Sequence, residues 1–350
     1  MELSAWKRLS ILLLWLLPYY SDGQNITIEP IVVLPDEIKE TSGLIFINDR
    51  IITHNDDGAP LLYELDPDNG IISRKLFIDG ASNVDWEDLC IDQQFMYIGD
   101  FGNSHGTRKD LRIYRVSLDN YFQSTNDTLA ADIIQFAYSD QTNFDDDTRT
   151  NFDAAAMVSF GDSLYVFTKN WGDFHTNVYS IPKTPGDHQI NRAGRINSLG
   201  LVAGAVHNTL AKEILLIGYT GSGPFFYRIY EFESAHFMKG VMERLSFSLE
   251  GSFQVEGIEA INETDYYMTS EANVLGDATL FRITTDFVVG INGLSENVVQ
   301  FYPNPTNRLL NIQGLPKIGE VSISLINTMG KTVFKTTEMV GSSQAILPLN

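Results

Sequence analysis

The sequence predicts an all-β chain: a β-propeller of five visible blades, followed by a small Ig-like β-sandwich. Two observations carry this. From residue 25 to about 290 long helical periodicity is absent, and short alternating apolar runs recur between clusters of Gly, Asn and Asp. Aligned on one another, the runs form units of one pattern: a small or acidic start, an apolar strand, a strand with a polar end, a Tyr/Phe-rich strand and a last strand. Four-strand units repeated in this way read as propeller blades.

The elements follow in order. Lys7 and Arg8 precede an apolar stretch around residues 11–17. A basic start before a short apolar core predicts a secretory signal peptide over residues 1–23. The stretch is too short for a comfortable membrane span, and no other segment is long and apolar enough, so the mature chain is expected to lack a transmembrane segment. The propeller is assigned to residues 24–290. Its first unit covers 40–46, 50–58, 62–66 and 75–78, with 66–70 (Asp-Pro-Asp-Asn-Gly) as a hairpin turn. The second covers 85–89, 96–103, 111–116 and 133–136. The third covers 152–157, 163–170 and 177–181. The fourth covers 202–206, 213–219, 227–232 and 244–247. The fifth covers 255–260, 266–271 and 279–283 and lacks a clear fourth strand. The apolar run 26–33 can supply it, which would tie the ring shut and remove an edge. Six blades remain possible if residues 117–150 hide one. A stacked β-sandwich of similar strand count is the competing architecture.

The chain carries 45 acidic and 24 basic residues, a formal net charge of −21. Nucleic acid and anionic membranes would be repelled. Cations, calcium above all, would not, and the charge also favours solubility outside a cell. The one cysteine, Cys90, lies between Leu89 and Ile91, so no intramolecular disulfide can form and the thiol reads as core packing. There is no Gly-x-Ser-x-Gly elbow, phosphate loop, dinucleotide fingerprint or zinc helix.

In a propeller the innermost strand of each blade lines the central channel, so residues at equivalent blade starts converge. Those positions are acidic: Glu40, Asp85, Glu87, Asp88, Asp153, Glu256 and Glu259. Three readings are open. Glu40, Asp85, Glu87, Asp153 and Glu256 could hold a hard cation such as calcium. Glu87 and Glu256 could act as a hydrolytic carboxylate pair on a phosphoester or glycoside. Or the acids could bond backbone N–H groups of neighbouring blades. Ala155 stands where the second unit has Glu87, which weakens the catalytic reading. A second set lies at strand ends: Asn55, Asp56, Asp100, Asn103, Lys169, Asn170 and Glu271. These should ring one face and form a ligand funnel, unless they only close Asx turns.

Short signatures in this region are Glu40-x-Ser42-Gly43-Leu44, Trp86-Glu87-Asp88-Leu89 and Glu256-Gly257-Ile258. They resemble secreted bacterial propellers of the phytase-like esterase and SdiA-regulated groups. The resemblance implies the fold more than an activity.

Residues 291–297 read as a linker, and 298–350 as a separate domain. Tyr302-Pro303-Asn304-Pro305 is a turn in which proline fixes φ and excludes helix. Alternation follows at Leu309, Leu310 and Ile312, at Val321, Ile323 and Leu325, and at Val333, which suits small antiparallel sheets. This tail resembles the C-terminal sorting domain of the type IX secretion system of Bacteroidetes. The resemblance implies handling by that secretion machinery, passage through the outer membrane and a surface or released cargo. Against the family pattern the tail is expected to be incomplete, ending before a Tyr-rich strand and a basic end. Taken together, the sequence predicts a secreted or cell-surface binding propeller with an unknown extracellular ligand; the alternative is an extracellular hydrolase.

Overall fold

The computed structural model describes residues 26–233, 236–249 and 254–287 in full, and beyond them the backbone of five strands between residues 300 and 348. The expected signal peptide and linker lie outside the described residues. Strand β1 (Ile26–Val33) comes first. Blade 1 is β2 (Thr41–Ile47), β3 (Arg50–Asn55), β4 (Leu61–Leu65) and β5 (Ile72–Asp79). Blade 2 is β6 (Trp86–Ile91), β7 (Phe95–Asp100), β8 (Arg112–Ser117) and, after helix α1 (Leu118–Gln123), β9 (Thr128–Tyr138). Blade 3 is β10 (Ala154–Phe160), β11 (Ser163–Thr168), β12 (Thr176–Pro182) and, past the short β13 (Gly186–Ile190), β14 (Arg192–Ile196). Blade 4 is β15 (Leu201–Asn208), β16 (Glu213–Thr220), β17 (Gly223–Tyr230) and β18 (Val241–Ser246). Blade 5 is β19 (Val255–Ala260), β20 (Asp265–Ser270) and β21 (Thr279–Thr285).

The fifth blade takes its outer strand from the start of the chain. β1 pairs antiparallel with β21, with Ile28 opposite Ile283. The five innermost strands then close on themselves: β2 packs on β6, β6 on β10, β10 on β15, β15 on β19, and β19 on β2. The described residues thus form a five-bladed propeller. The segment 117–150 holds no sixth blade. It contributes α1 and the long β9, which pairs with β8 and runs parallel to both β5 and β13. β9 therefore stitches blades 1, 2 and 3 together along their outer edges.

Both faces of each blade are covered, so the strands read as near-continuous apolar runs. Five hydrophobic clusters result, one between each pair of neighbouring blades. Ile45 and Leu62 meet Leu89 and Tyr114 between blades 1 and 2; Tyr97 and Ile134 meet Met157 and Tyr179 between 2 and 3. Val158 and Phe167 meet Leu216 and Phe225 between 3 and 4; Ile217 and Phe226 meet Tyr266 and Ile283 between 4 and 5. Leu280 and Tyr267 meet Leu44 and Leu65 between 5 and 1. Cys90 is buried in the second of these. Residues 66–70 make the expected hairpin turn, in which Gly70 adopts φ +68° and its N–H bonds the Asp66 carbonyl at 2.9 Å.

Every innermost strand carries a register shift against the second strand of its blade, at one equivalent place. The shifts fall between Thr41 and Leu44, Trp86 and Asp88, Ala154 and Ala156, Val202 and Gly204, and Val255 and Ile258. Such a bulge bends the strand and re-aims a side chain. Glu87 and Glu256 sit within two of them. The bends also bring backbones together: a Cβ on Gly204 would overlap the Glu256 carbonyl, and one on Gly257 the Ser42 carbonyl.

Beyond residue 290 the chain forms a second compact unit. There β22 (Gln300–Tyr302), β23 (Leu309–Gln313) and β26 (Gln344–Pro348) make one antiparallel sheet, and β24 (Gly319–Ile326) pairs with β25 (Thr332–Val340). Pro303–Pro305 lies outside the described residues. Among the described residues no helix is long and apolar enough to cross a membrane.

The close approach at Gly204 sets a prediction. The neighbour of an added methyl is backbone, which cannot rotate away, so Gly204→Ala should cost about 3 kcal/mol, the upper end for overpacking. Urea unfolding measures it, and an unchanged midpoint would show that the inner strands are not packed this tightly.

Candidate functional site

Antiparallel pairing places the start of each innermost strand beside the end of the next. Thr41 faces Asn55, Trp86 faces Asp100, Ala154 faces Thr168, and Val255 faces Ser270. The two residue sets that the sequence treats separately therefore meet at one end of the channel.

Lys169 sits among the carboxylates there. It is buried, with Nζ 3.6 Å from Glu256 Oε2 and 5.7 Å from the centre of the Tyr219 ring. Burial disfavours its ammonium, but Glu256, Tyr219, Glu87 and Asp153 outweigh burial and hold its pKa well above the usual lysine value. Burial pushes the Glu87 carboxyl well up; Lys169 opposes this, while Asp85, Asp153 and Glu256 add to it. Gly102 lies against Asp85 and Glu87, and any side chain on it would overlap both. Burial and the Asp153 charge raise Asp85 to about 6. Asp153 accepts from the Asn103 N–H at 2.6 Å and from Trp171 Nε1 at 2.8 Å, and burial raises its pKa with Lys169 opposing. Glu256 is raised in the same way, again against Lys169.

Towards blade 1 the composition changes. Glu40, Asp56 and Asp57 each place a carboxylate oxygen within 4.8 Å of the others. Burial, then Glu40 and Asp57, raise Asp56 to about 6. Burial, then Glu256 and Asp56, raise Glu271 to about 9. Asn55 Nδ2 donates to the Glu37 carbonyl at 2.8 Å. Asn55 Oδ1, Asp56 Oδ1 and His54 Nε2 are buried and have no hydrogen-bond partner. Two consecutive residues thus offer acceptor oxygens with nothing to accept.

The remaining sequence candidates are committed locally. Asp100 Oδ1 bonds Arg108 at 2.9 Å, while its other oxygen is buried without a hydrogen bond and has only the Arg112 charge, 3.7 Å away. Asn103 donates to the Phe152 carbonyl at 3.1 Å and accepts from the Arg108 N–H at 2.8 Å. Asn170 accepts from Thr168 Oγ1 at 2.5 Å and donates to Asp173 at 3.1 Å. Asp88 lies deeper and accepts from Met157 N at 2.6 Å in the next blade and Leu89 N at 2.8 Å, so it staples two inner strands. Trp171 and Arg108 are site residues that sequence reasoning missed. Trp171 directly follows the polar strand end Lys169-Asn170, which could have marked it; Arg108 reaches back from a loop that carries no such signal.

Residues 300–349 match the family described as Secretion system C-terminal sorting domain. The chain therefore carries a type IX secretion label and is exported to the cell surface or the extracellular space. No curated protein matches the chain. Similar solved structures include the PQQ-bound form of aldose sugar dehydrogenase from Streptomyces coelicolor, at 10% identity and TM-score 0.45, over 75% of this chain and 99% of that one. An exported protein from Bacteroides fragilis is similar at 5% identity and TM-score 0.36, over 75% of this chain and 96% of that one. BamB from Moraxella catarrhalis is similar at 10% identity and TM-score 0.29, over 68% of this chain and 71% of that one. These scores are low, and the propeller assignment rests on the strand pairing.

The raised acids fix a pH dependence. Asp56, Asp85 and Glu271 bind protons more tightly in the folded chain than in the unfolded one, so stability is lost as pH rises through their folded values. His54 acts in the opposite sense, since burial lowers it from 6.5 to about 4, but its contribution is complete above pH 6.5. Between about pH 6.5 and 9 the metal-free protein should therefore melt at progressively lower temperature, and Glu271→Gln should flatten that slope. Calorimetry at fixed ionic strength checks this; a melting temperature that rises across the interval contradicts it.

Proposed function

We propose that the chain is a secreted binding propeller whose acid-rich channel mouth takes a hard divalent cation, calcium first. Glu40, Asp56 and Asp57 would be the ligands, with the Asn55 amide oxygen beside them. The observation that carries this is the pair of unpartnered buried oxygens, Asn55 Oδ1 and Asp56 Oδ1, next to a carboxylate trio of metal-ligating span. Calcium collects six to eight oxygens from carboxylates, amides and water in flexible geometry. The inner carboxylates suit it less. Asp85, Glu87, Asp153 and Glu256 surround Lys169, whose ammonium already supplies positive charge among them. A cation at the rim would leave coordination positions open towards the solvent, where an extracellular ligand rich in oxygen could complete them.

One observation favours hydrolysis as a second reading. Burial raises Glu87 strongly, while Lys169, 3.6 Å from Glu256 Oε2, opposes the rise at Glu256, so two carboxyls in mutual electrostatic contact differ in their cationic partner. Glu87→Gln and Glu256→Gln would then abolish turnover on phosphoester or glycoside substrates with folding intact.

Calcium at a hundredfold excess over its Kd should stabilise the protein by about 2.7 kcal/mol at pH 8. The gain should shrink at pH 5, where Asp56, with its pKa of about 6, is protonated. Asp56→Asn together with Asp57→Asn should remove it. Differential scanning calorimetry with and without calcium decides this. No shift at pH 8 sinks the cation reading, and turnover lost in the two glutamate variants would replace it with the hydrolytic one.

A further inference from the structure

The innermost strands begin at the acidic mouth and end at the hairpins of the opposite face. There a cavity of about 670 Å³ opens among the turns of blades 2 to 5. Its volume lies within the range of small-molecule sites. Its lining includes Cys90, Asp92, Lys183, His207, Asn208 and Glu259. Most of their polar capacity is already used. Lys183 bonds Asp92 at 3.0 Å and the Gly161 carbonyl at 2.9 Å, and Asp92 also accepts from Tyr97 at 2.9 Å. Asn208 donates to the Asn262 carbonyl and to Tyr266, and accepts from two backbone N–H groups.

Two groups remain. His207 has Nδ1 3.1 Å from the Ser159 carbonyl, which can only accept, so Nδ1 carries the hydrogen. Burial keeps the imidazole neutral by lowering its pKa. Its Nε2 is then an acceptor, and among the described residues it makes no hydrogen bond. Glu259 has one oxygen on the Ala260 N–H at 2.8 Å and, among the described residues, no cationic partner. His207 Nε2 accepts, and Glu259 accepts and carries a negative charge once it is ionised. The cavity is therefore complementary to a ligand that brings N–H donors and a positive charge.

We propose that this cavity is a second binding site, distinct from the acidic mouth, for a small organic ammonium ion held by Glu259 and His207. The apolar part of such a ligand would rest on Leu89, Val158, Val206 and Leu210, which line the same space. The titratable groups around Glu259 are Asp88 and Cys90 on β6, Asp92 and Lys183 at the turns, and His207 on β15. Of these Asp88 and Cys90 are buried, and Asp92 and Lys183 neutralise one another. Without ligand, burial raises Glu259 to about 8. An ammonium ion beside it favours the carboxylate, so binding near pH 7 releases a proton.

Benzylammonium and benzyl alcohol differ by one charged group at almost equal size, and isothermal titration calorimetry of the full chain with each provides the test. Benzylammonium should bind at least tenfold more tightly than the alcohol. Titrations in two buffers of different ionisation enthalpy should report proton release at pH 7. Glu259→Gln keeps the shape of the side chain and should weaken benzylammonium at least tenfold with the melting temperature retained. Glu256→Gln, at the other end of the channel, should leave binding unchanged. Absence of benzylammonium binding, equal binding of the two probes, or full affinity in Glu259→Gln overturns the proposal. Affinity lost in Glu256→Gln but kept in Glu259→Gln would assign the amine to the acidic mouth instead.

Discussion

The structure depends on the pairing of β1 with β21. A propeller blade is hydrophobic on both faces, and each inter-blade cluster needs two blades to exist. Without β1 the fifth blade would end on an open edge, and the contact between blades 5 and 1 would lose one of its walls. β1 serves both sides of that blade. Ile26 and Ile28 pack against the cluster shared with blade 4, and Ile31 and Val32 against the cluster shared with blade 1. Closure at this one seam links β1, from the start of the described chain, to β21 at the end of the domain. It makes the five inner strands a fixed ring in which residues far apart in sequence hold defined positions.

The bulges convert that ring into chemistry. Regular β-strands alternate their side chains, so an inner strand would send only every second residue towards the channel. A bulge at the same level in all five strands breaks the alternation at the mouth and turns Glu87 and Glu256 inward. Close backbone approach at Gly43, Gly204 and Gly257 allows the strands to crowd there. Asp88, one position beyond Glu87, faces the adjacent strands instead and ties them through their N–H groups. Neighbouring acids in one signature thus do different work, one structural and one facing the channel.

The repeat of strands and the missing fourth strand of the last blade were legible because they rest on period and length, which a single sequence displays. Residue 26–33 as the closing strand followed from counting. The blade-3 outer strand was not legible: Arg192–Ile196 is polar and glycine-containing, because it sits at a solvent edge where burial imposes no pattern. The convergence of the two candidate sets was also hidden, although antiparallel pairing alone implies it once strand order is known. Sequence position could not separate Asp153, engaged by Asn103 and Trp171, from Asp56, which keeps an unpartnered oxygen. That distinction comes from loops folding back on the channel, and loop residues carry no periodic signal. The cavity around Glu259 went unread for a related reason, since it is assembled from hairpin turns of four blades.

Charge at the mouth follows from arithmetic that the fold imposes. Lys169 is one cation facing Glu256, Glu87, Asp153 and Asp85, with Glu271, Asp56 and Glu40 close behind. In a buried setting these acids cannot all stay ionised beside a single ammonium. The excess must be taken up by protons or by a bound cation, and the two compete for the same oxygens. Raised pKa values and any cation affinity would therefore be one property seen under two conditions. The lysine sets where that competition takes place. It opposes the rise at Glu256, Glu87, Asp153 and Asp85 but ion-pairs with Glu256 alone, so the other carboxyls of the mouth, out to the rim at Glu40, Asp56 and Asp57, share what one ammonium leaves uncompensated.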